Sequence, residues 1–178
     1  WLAVLLALSL VVSAVVGIFE QVVSQLTLVV SFQSLILGMA GNAGTQSLAV
    51  TIRVLMDENL TGGQKLHLMF KEMRVGLVNG FLLGVLSMIF IGIYIELAKG
   101  RGFAFSFAVS ACIGCSLMVA MLISSIMGTV IPMLFHKIKV DPAVASGPLI
   151  TTVNDLVAVV AYYGLAWILL INVLQLAG

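Results

Sequence analysis

Long runs of apolar residues recur through the chain and constrain its fold more than any other feature. Five such runs lie at residues 1–19, 26–55, 75–95, 105–135 and 147–176, and roughly 20 apolar residues in a helix cross the hydrocarbon core of a bilayer. Of the 178 residues 62% are hydrophobic and 8% are charged, whereas about a quarter are charged in a typical soluble domain. The sequence therefore predicts one all-α integral membrane domain, residues 1–178, with five transmembrane helices.

The second and fourth runs are longer than one crossing, so each has room for a tilt, a break or an interfacial turn. The chain opens at Trp1 inside an apolar run, with no basic segment before it, and so it does not resemble a secretory signal. We expect the chain to be the membrane domain of a longer protein, whose preceding part has been removed.

The basic residues of the connecting segments predict the orientation, because short cytoplasmic loops collect lysine and arginine. Six lie on one side of the predicted bundle: Arg53, Lys65, Lys71, Arg74, Lys137 and Lys139. The other side has two, Lys99 and Arg101. The N-terminus is therefore predicted to face the cytoplasm and the C-terminus the outside of the cell membrane. The net charge of +1 gives no indication of a nucleic-acid partner.

The connection between the second and third runs has a helical pattern of its own. Thr61 and Gln64 fit a capping box, and apolar and basic residues are interleaved after them. This pattern predicts a short amphipathic helix along the cytoplasmic surface. In the third run Gly76, Gly80 and Gly84 form two successive GxxxG motifs, which predict close contact with another helix.

Cysteine and histidine give little indication of soft-metal, redox or catalytic chemistry. Cys112 and Cys115 share one helix face inside an apolar run; small buried packing residues are the main interpretation, and redox or soft-metal binding is the alternative. His67 and His136 have no partner ligand at helical spacing and are interpreted as interfacial side chains. No catalytic constellation is present, so the chain is not predicted to be an enzyme.

Asp155 stands apart because it is the only formal charge between Asp141 and Gly178. An aspartate at the centre of a transmembrane helix costs roughly 2.5 to 3.5 kcal/mol, which is usually tolerated only beside water, a partner or an ion. Two interpretations follow. Either the carboxyl is protonated or bonded to a hydroxyl such as that of Thr151, or it is a carboxylate in an ion pathway, and the second is favoured.

The residues before Asp155 favour the ion pathway. Pro148 is well placed to begin the fifth helix, and Thr151, Thr152 and Asp155 then fall on one side of it at positions i, i+1 and i+4. A polar stripe is therefore predicted to run inward from the cytoplasmic end of this helix.

The second helix carries another polar group in the stretch GMAGNAGTQS, residues 38–47. Asn42, Thr45 and Gln46 lie within one turn of each other. The stretch also repeats glycine every third residue, at Gly38, Gly41 and Gly44. Such a glycine face can serve helix packing alone. Beside these polar residues the favoured interpretation is that it exposes backbone carbonyls that an ion can approach.

The predicted ligands are all oxygen atoms, from a carboxylate, side-chain amides and backbone carbonyls. Oxygen ligands suit Mg²⁺, Ca²⁺ or Mn²⁺ rather than Zn²⁺ or Cu⁺. One carboxylate per chain is too few to enclose a dehydrated divalent ion. The pattern suits an ion that keeps its water molecules, as Mg²⁺ tends to do.

Three separated motifs resemble the transmembrane domain of the MgtE magnesium channel family. They are GNAGTQS at 41–47 followed by Arg53, KEM at 71–73 followed by Gly76, and VDP at 140–142 leading to GPLITT at 147–152 and Asp155. The likeness covers all five runs in order. At one position the chain departs from the family, because Gly147 stands where asparagine is frequent, and a side-chain ligand is lost there.

The resemblance implies a homodimer with five helices per chain and a central pore lined by helices two and five of both subunits. It also implies that Asp155 holds hydrated Mg²⁺ beside the carbonyls of Gly41, Gly44 and Thr151, with Asp141 as a lesser contact at the cytoplasmic mouth. Family members usually carry N-terminal cytoplasmic domains, including a CBS pair, that sense Mg²⁺ and close the pore. Those domains are absent from this chain and are implied as its partners.

The expected function is therefore conduction of Mg²⁺ through a dimeric pore, in contact with membrane lipid. A proton- or sodium-coupled transporter of divalent cations is the alternative, in which Asp155 carries the coupling ion. A structural or receptor-anchoring bundle is disfavoured, because an anchor needs no unpaired carboxylate inside the membrane.

Overall fold

In a computed structural model, the described residues, 2–20, 24, 27–56 and 61–173, are helical almost throughout and contain no strand. The α-helices, in chain order, are α1 (Leu2–Ile18), α2 (Thr27–Ser31), α3 (Gln33–Leu55), α4 (Gly62–Lys99), α5 (Phe103–Lys137) and α6 (Pro142–Ala166), and a π-helical segment (Trp167–Val173) continues α6. The predicted all-α class is confirmed. The predicted ends of the first and last helices, at Trp1 and beyond residue 173, lie outside the described residues.

Three described helices are long and apolar enough to cross a membrane: Gly62–Lys99, Phe103–Lys137 and Leu149–Ile171. Helix α1 is apolar but shorter, with 17 residues. Helix α3 has 23 residues, about 34 Å at 1.5 Å per residue, but its polar residues make it less apolar than the others. The chain is a multi-pass membrane protein, and the count of five crossings stays a prediction.

The second apolar run is broken near its start, at Phe32, as its length allowed. Phe32 lies between α2 and α3, with backbone angles φ −101° and ψ 2°. The fully buried Tyr162 of α6 donates a 2.6 Å hydrogen bond to the carbonyl of Val29 beside this break. A second tyrosine, Tyr163, donates to Oε1 of Gln33 at 2.6 Å. Two polar atoms at the break thus accept hydrogen bonds from tyrosines of α6.

The separate amphipathic helix predicted before the third run is wrong, because α4 runs without interruption from Gly62 to Lys99. The predicted capping box is confirmed, since Thr61 and Gln64 satisfy each other's backbone N–H groups. No proline interrupts the sequence after it. The buried side chains of Leu68 and Glu72 hold this first part of α4 against the bundle instead of leaving it on the surface.

The contact predicted from the two GxxxG motifs is confirmed between α4 and α5. A Cβ atom at Gly76 would lie 2.6 Å from Oγ of Ser125, and one at Gly84 would lie 2.8 Å from the carbonyl oxygen of Gly114. Between them Gly80 faces the backbone of Met118. The paired residue numbers run in opposite directions, so α4 and α5 are antiparallel and their backbones touch over several turns.

Helix α6 begins at Pro142 rather than at Pro148, the residue expected to start it. Proline suits the first helical position because its missing N–H would have no partner there in any case. Pro148 lies within α6. The consequence is that the polar stretch of residues 147–155 is already inside a helix.

The core lies where α3, α5 and α6 meet, with α1 packed on the outer side of α6. The largest fully buried side chains include Tyr162, Tyr163, Ile36 and Ile113. Phe19 stacks on Tyr163 with ring centroids 5.8 Å apart. These contacts fix α3 against α6, the pair of helices on which the candidate site is built.

Candidate ion site

Helices α3 and α6 lie side by side and run in opposite directions. Tyr163 of α6 contacts Gln33 near the start of α3, whereas Asn154 contacts Gly44 further along it. With a rise of about 1.5 Å per residue, Asp155 is level with residues 42–44 of α3. The structure therefore brings the predicted carboxylate to the same depth as the glycine-rich stretch.

Asp155 is half-buried and makes no hydrogen bond or ion pair with another described residue. The hydroxyl of Thr151, one turn earlier, donates to the carbonyl of Gly147 at 3.1 Å. The structure therefore contains no hydrogen bond from Thr151 to the Asp155 carboxyl, which was the alternative interpretation. Asp155 lies six residues into the apolar span that begins at Leu149, or about 9 Å along the helix.

One face of α3 next to α6 is made of small and polar residues and has no neighbour. Gly38 is exposed and Gly41 is half-buried, and a Cβ atom at either would meet nothing within 4 Å. Thr45, on the same face, is exposed and donates its hydroxyl to the carbonyl of Gly41 at 3.0 Å. We call Gly38, Gly41 and Thr45 the open face of α3.

Gly44 belongs to the same repeat but has different surroundings. It is buried, and a Cβ atom there would lie 2.9 Å from Cγ of Asn154. Its carbonyl oxygen is directed at Gly128 of α5, so closely that a Cβ atom at Gly128 would overlap it. Gly44 is thus a close-packing position in this conformation, whereas Gly41 borders open space.

Asn42 and Gln46 are exposed on the side of α3 that faces α4. Together with Asn79 of α4 they contribute amide groups to a groove of about 380 Å³, lined otherwise mostly by apolar side chains. Asn42 thus lines this groove and also borders the open face, because it lies one turn after Gly38 and its carbonyl accepts from the Thr45 hydroxyl at 3.1 Å. Its role as an ion ligand stays a prediction.

Asp141 is exposed immediately before α6, at the end of the bundle where α3 ends and α4 begins. A carboxylate at a helix N-terminus interacts favourably with the positive end of the helix dipole. This position agrees with an acidic residue at the mouth of a path along α6, and the predicted contact with an ion is untested.

Three buried polar residues in the same half of the bundle were not singled out from the sequence as site candidates. Ser47 of α3 donates a 2.9 Å hydrogen bond to Oε2 of Glu72 of α4. Asn154 is fully buried, and neither amide atom has a hydrogen-bond partner among the described residues. The sequence did contain a signal for Asn154. It directly precedes Asp155, and because consecutive residues on a helix project about 100° apart, its amide had to face a different direction from the carboxylate.

Asp155 is not part of a cluster of metal-binding side chains among the residues that the structure describes. The described residues contain no group of three or more His, Cys, Asp or Glu side chains that could hold a metal ion. Cys112 is buried and Cys115 is exposed, and both are free thiols far along α5 from Gly128. The donor set is therefore one carboxylate with hydroxyl and carbonyl groups, which matches a weakly held hard cation.

Comparison with known proteins gives a family. The family model of MgtE, described as a divalent cation transporter, matches residues 33–165. The magnesium transporter MgtE of Bacillus subtilis (strain 168) is 37% identical over 166 residues, 93% of this chain and 35% of that protein. Those of Enterococcus faecalis and Thermus thermophilus are 38% and 30% identical over 93% and 96% of this chain. The chain spans about a third of the length of these relatives.

The fold and the site define a multi-pass helical membrane protein in which Asp155 is level with the glycine-rich stretch of α3. The extent of the family match places it more narrowly. The chain belongs to the MgtE family of divalent cation transporters, which confirms the resemblance drawn from the three motifs.

Proposed function

We propose that two copies of this chain form a Mg²⁺ channel in the cell membrane, with a pore between the subunits lined by α3 and α6 of both. Each chain crosses the membrane five times, with the N-terminus in the cytoplasm and the C-terminus outside. Mg²⁺ is the transported ion and passes down its electrochemical gradient.

The observation that carries the proposal is Asp155 beside the open face of α3. An unpaired carboxylate is costly against lipid, where no water can satisfy it, and the exposed Gly38 and Thr45 leave space on α3 for a water-filled path. A second copy that presents the same face would enclose these groups around a water-filled path. The dimer is thus supported by surface chemistry that a single chain leaves unsatisfied.

In the proposed pore, Asp155 attracts Mg²⁺ with its inner water shell retained. The waters donate hydrogen bonds to the carboxylate and to the carbonyls of Gly41 and Thr151, whereas the carbonyl of Gly44 is covered by Gly128 and would reach an ion only after α3 and α5 separate. Asn42 is a further oxygen donor on α3, and Asp141 draws cations to the cytoplasmic mouth. Mg²⁺ gives up its waters reluctantly, so a site with few direct ligands favours outer-sphere binding and rapid release.

The orientation is supported by the ends of the helices. The antiparallel pairs α3–α6 and α4–α5 bring Arg53, Lys65, Lys71, Arg74 and Lys137 towards one end of the bundle. This basic end is cytoplasmic by the positive-inside rule. The relatives' extra length supports cytoplasmic regulatory domains as partners of this chain, and membrane lipid surrounds the bundle.

A coupled transporter is the second candidate, and Glu72 is the observation in its favour. This acidic side chain is 5% exposed inside the bundle and bonded to the Ser47 hydroxyl, and acidic residues enclosed in membrane bundles serve in the pathways of coupling ions. A channel conducts Mg²⁺ without a gradient of another ion. A coupled transporter requires a proton or sodium gradient, and its rate follows that gradient.

The deciding experiment measures Mg²⁺ entry into liposomes containing the purified chain, with and without proton and sodium gradients, and compares Asp155→Asn. Mg²⁺ entry without either gradient, lost in the variant, is expected. The molecular mass, or crosslinking, of the chain in lipid under conditions that preserve its assembly should show a dimer. A transporting monomer would eliminate the shared pore, and strict dependence on a second gradient would favour coupling.

A further inference from the structure

Three helices meet at Gly44. The side chain of Asn154 on α6 covers one side of this glycine, and the backbone of Gly128 on α5 covers another. Neither Gly44 nor Gly128 has room for a Cβ atom. The contact between the two proposed pore helices, α3 and α6, therefore depends on the position of the Asn154 side chain against Gly44.

Asn154 has an unusual side chain for this position. It is 0% exposed, and both its Nδ2 and Oδ1 atoms lack a hydrogen-bond partner among the described residues. A buried amide without partners loses its hydrogen bonds to water and gains nothing in return. Leucine has a similar shape and would fill the same space without that cost.

The position of the Asn154 side chain against Gly44 determines the direction in which the Asp155 side chain points. The two residues are consecutive on α6 and project about 100° apart. Because Asn154 points into the α3–α5 junction, Asp155 is turned to the neighbouring, half-buried face. A rotation of α6 that moved Asn154 off Gly44 would move the carboxylate by the same angle.

An acceptor for the amide is available near this junction. Pro132 lies inside α5 and has no N–H, so the carbonyl of Gly128, four residues earlier, lacks its usual helical donor. Gly128 contacts the same glycine as Asn154. The Asn154 amide and a carbonyl that lacks its usual helical donor thus lie on two sides of Gly44, and a small shift of α6 is the movement that would pair them.

From these contacts we infer that Asn154 is a positioning residue for Asp155. The contact between the Asn154 side chain and Gly44 can break and re-form, and α6 then rotates and changes the direction of the carboxylate relative to the pore. The amide is kept because an apolar side chain would hold the helices in one arrangement. This inference rests on the proposed channel function, with Asp155 as the ion-binding carboxylate.

The test compares Asn154→Leu with the parent chain in liposomes and in detergent. Ile150→Leu is the matched control, since Ile150 is equally buried on α6 one turn away. Asn154→Leu should melt at the parent temperature or higher, yet its maximal Mg²⁺ flux should fall at least about fivefold, with the half-saturating Mg²⁺ concentration within about twofold. The control should match the parent in all three measurements.

A paired substitution separates the amide from its size. Gly44→Ala should impair folding because its Cβ meets Asn154, and Gly44→Ala with Asn154→Ala should relieve that contact. The double variant should regain the parent's melting temperature but not its flux. Full recovery of flux would overturn the inference, because only side-chain volume would then matter.

If Asn154→Leu does not fold, a local measurement takes its place. With Cys112 and Cys115 replaced by alanine, Thr151→Cys reports on the exposed face of α6 through its rate of modification by a water-soluble thiol reagent. Adding Asn154→Ala should change that rate by more than about threefold if Asn154 sets the rotation of α6, and an unchanged rate would overturn the inference.

The two proposals fail differently. Normal Mg²⁺ flux in Asp155→Asn would remove the proposed function. Loss of flux in Asp155→Asn together with parent-like flux in a folded Asn154→Leu would leave the channel standing and remove the positioning role.

Discussion

The Ser47 hydroxyl of α3 donates a 2.9 Å hydrogen bond to Oε2 of Glu72 of α4, and both side chains are buried. Contact between these two helices is otherwise sparse, whereas α4 packs along most of α5. The hydrogen bond therefore joins α3 to α4 directly, whereas α3 otherwise meets the α4–α5 pair through its packing on α5.

Removing this donor should destabilise the bundle. Ser47→Ala leaves the buried carboxylate without its hydroxyl partner, and a hydrogen bond to a charged group is worth about 1.5 to 3 kcal/mol. Glu72→Gln keeps an oxygen acceptor and should cost less. Unfolding in mixed detergent gives the free energies, with Ser87→Ala as the control, because Ser87 bonds only to the carbonyl of Gly84 in its own helix. Equal losses for the Ser47 and Ser87 variants would refute the proposed contribution.

Asp155 should be required for its charge more than for its shape. Attraction between a carboxylate and Mg²⁺ about 5 Å apart is several kcal/mol at an effective dielectric constant near 20, so Asp155→Asn should reduce Mg²⁺ flux more than about tenfold. Asp155→Glu keeps the charge and should retain partial flux. Both are measured in liposomes with an indicator of Mg²⁺.

The hydration state of the ion gives a separate test at Asp155. Cobalt hexammine has six fixed ammines in place of waters, so it should compete with Mg²⁺ for an outer-sphere site. Block of Mg²⁺ entry is expected in the parent chain, with weaker block in Asp155→Asn. A channel that admits Mg²⁺ but is insensitive to cobalt hexammine would indicate direct coordination of the ion.

Valine at Gly41 and at Gly44 should have different effects. Gly44→Val places a branched side chain against Asn154 and should destabilise the fold by about 3 kcal/mol or more, since overpacked cores rarely relax fully. A Cβ atom at Gly41 meets nothing within 4 Å, so Gly41→Val should fold normally but reduce Mg²⁺ flux, because it narrows the proposed pore. Melting temperature and flux are measured for both. A stable, fully conducting Gly41→Val would remove this face of α3 from the pore.

The buried tyrosine at the break between α2 and α3 should contribute modestly. Tyr162→Phe removes the 2.6 Å hydrogen bond to the Val29 carbonyl, which still accepts from the backbone N–H of Phe32. The expected loss is about 1 kcal/mol of unfolding free energy. Tyr94→Phe is the control, because Tyr94 is half exposed and its ring contact with Phe32 needs no hydroxyl. A loss at Tyr94 as large as that at Tyr162 would contradict this account.

Several features followed from the sequence because their causes are local or compositional. Apolar runs predicted helices in a membrane, since only a helix satisfies its own backbone over such a length. The glycines at 76, 80 and 84 recur every four residues, and that period is enough to place them on one side of α4. The capping box at Thr61 depends on residues three positions apart. The three motifs likewise identified the family.

Other features depend on which neighbours each helix face meets, and so the tertiary structure decided them. Gly41 and Gly44 occupy equivalent places in one repeat, yet the rotation of α3 buries Gly44 beneath Asn154 and leaves Gly41 open. Glu72 keeps the first part of α4 against the bundle, although its sequence has the pattern of a surface helix. Local spacing determines the side of a helix on which a residue lies. Only packing against the other helices determines whether that side meets a partner, lipid or an ion.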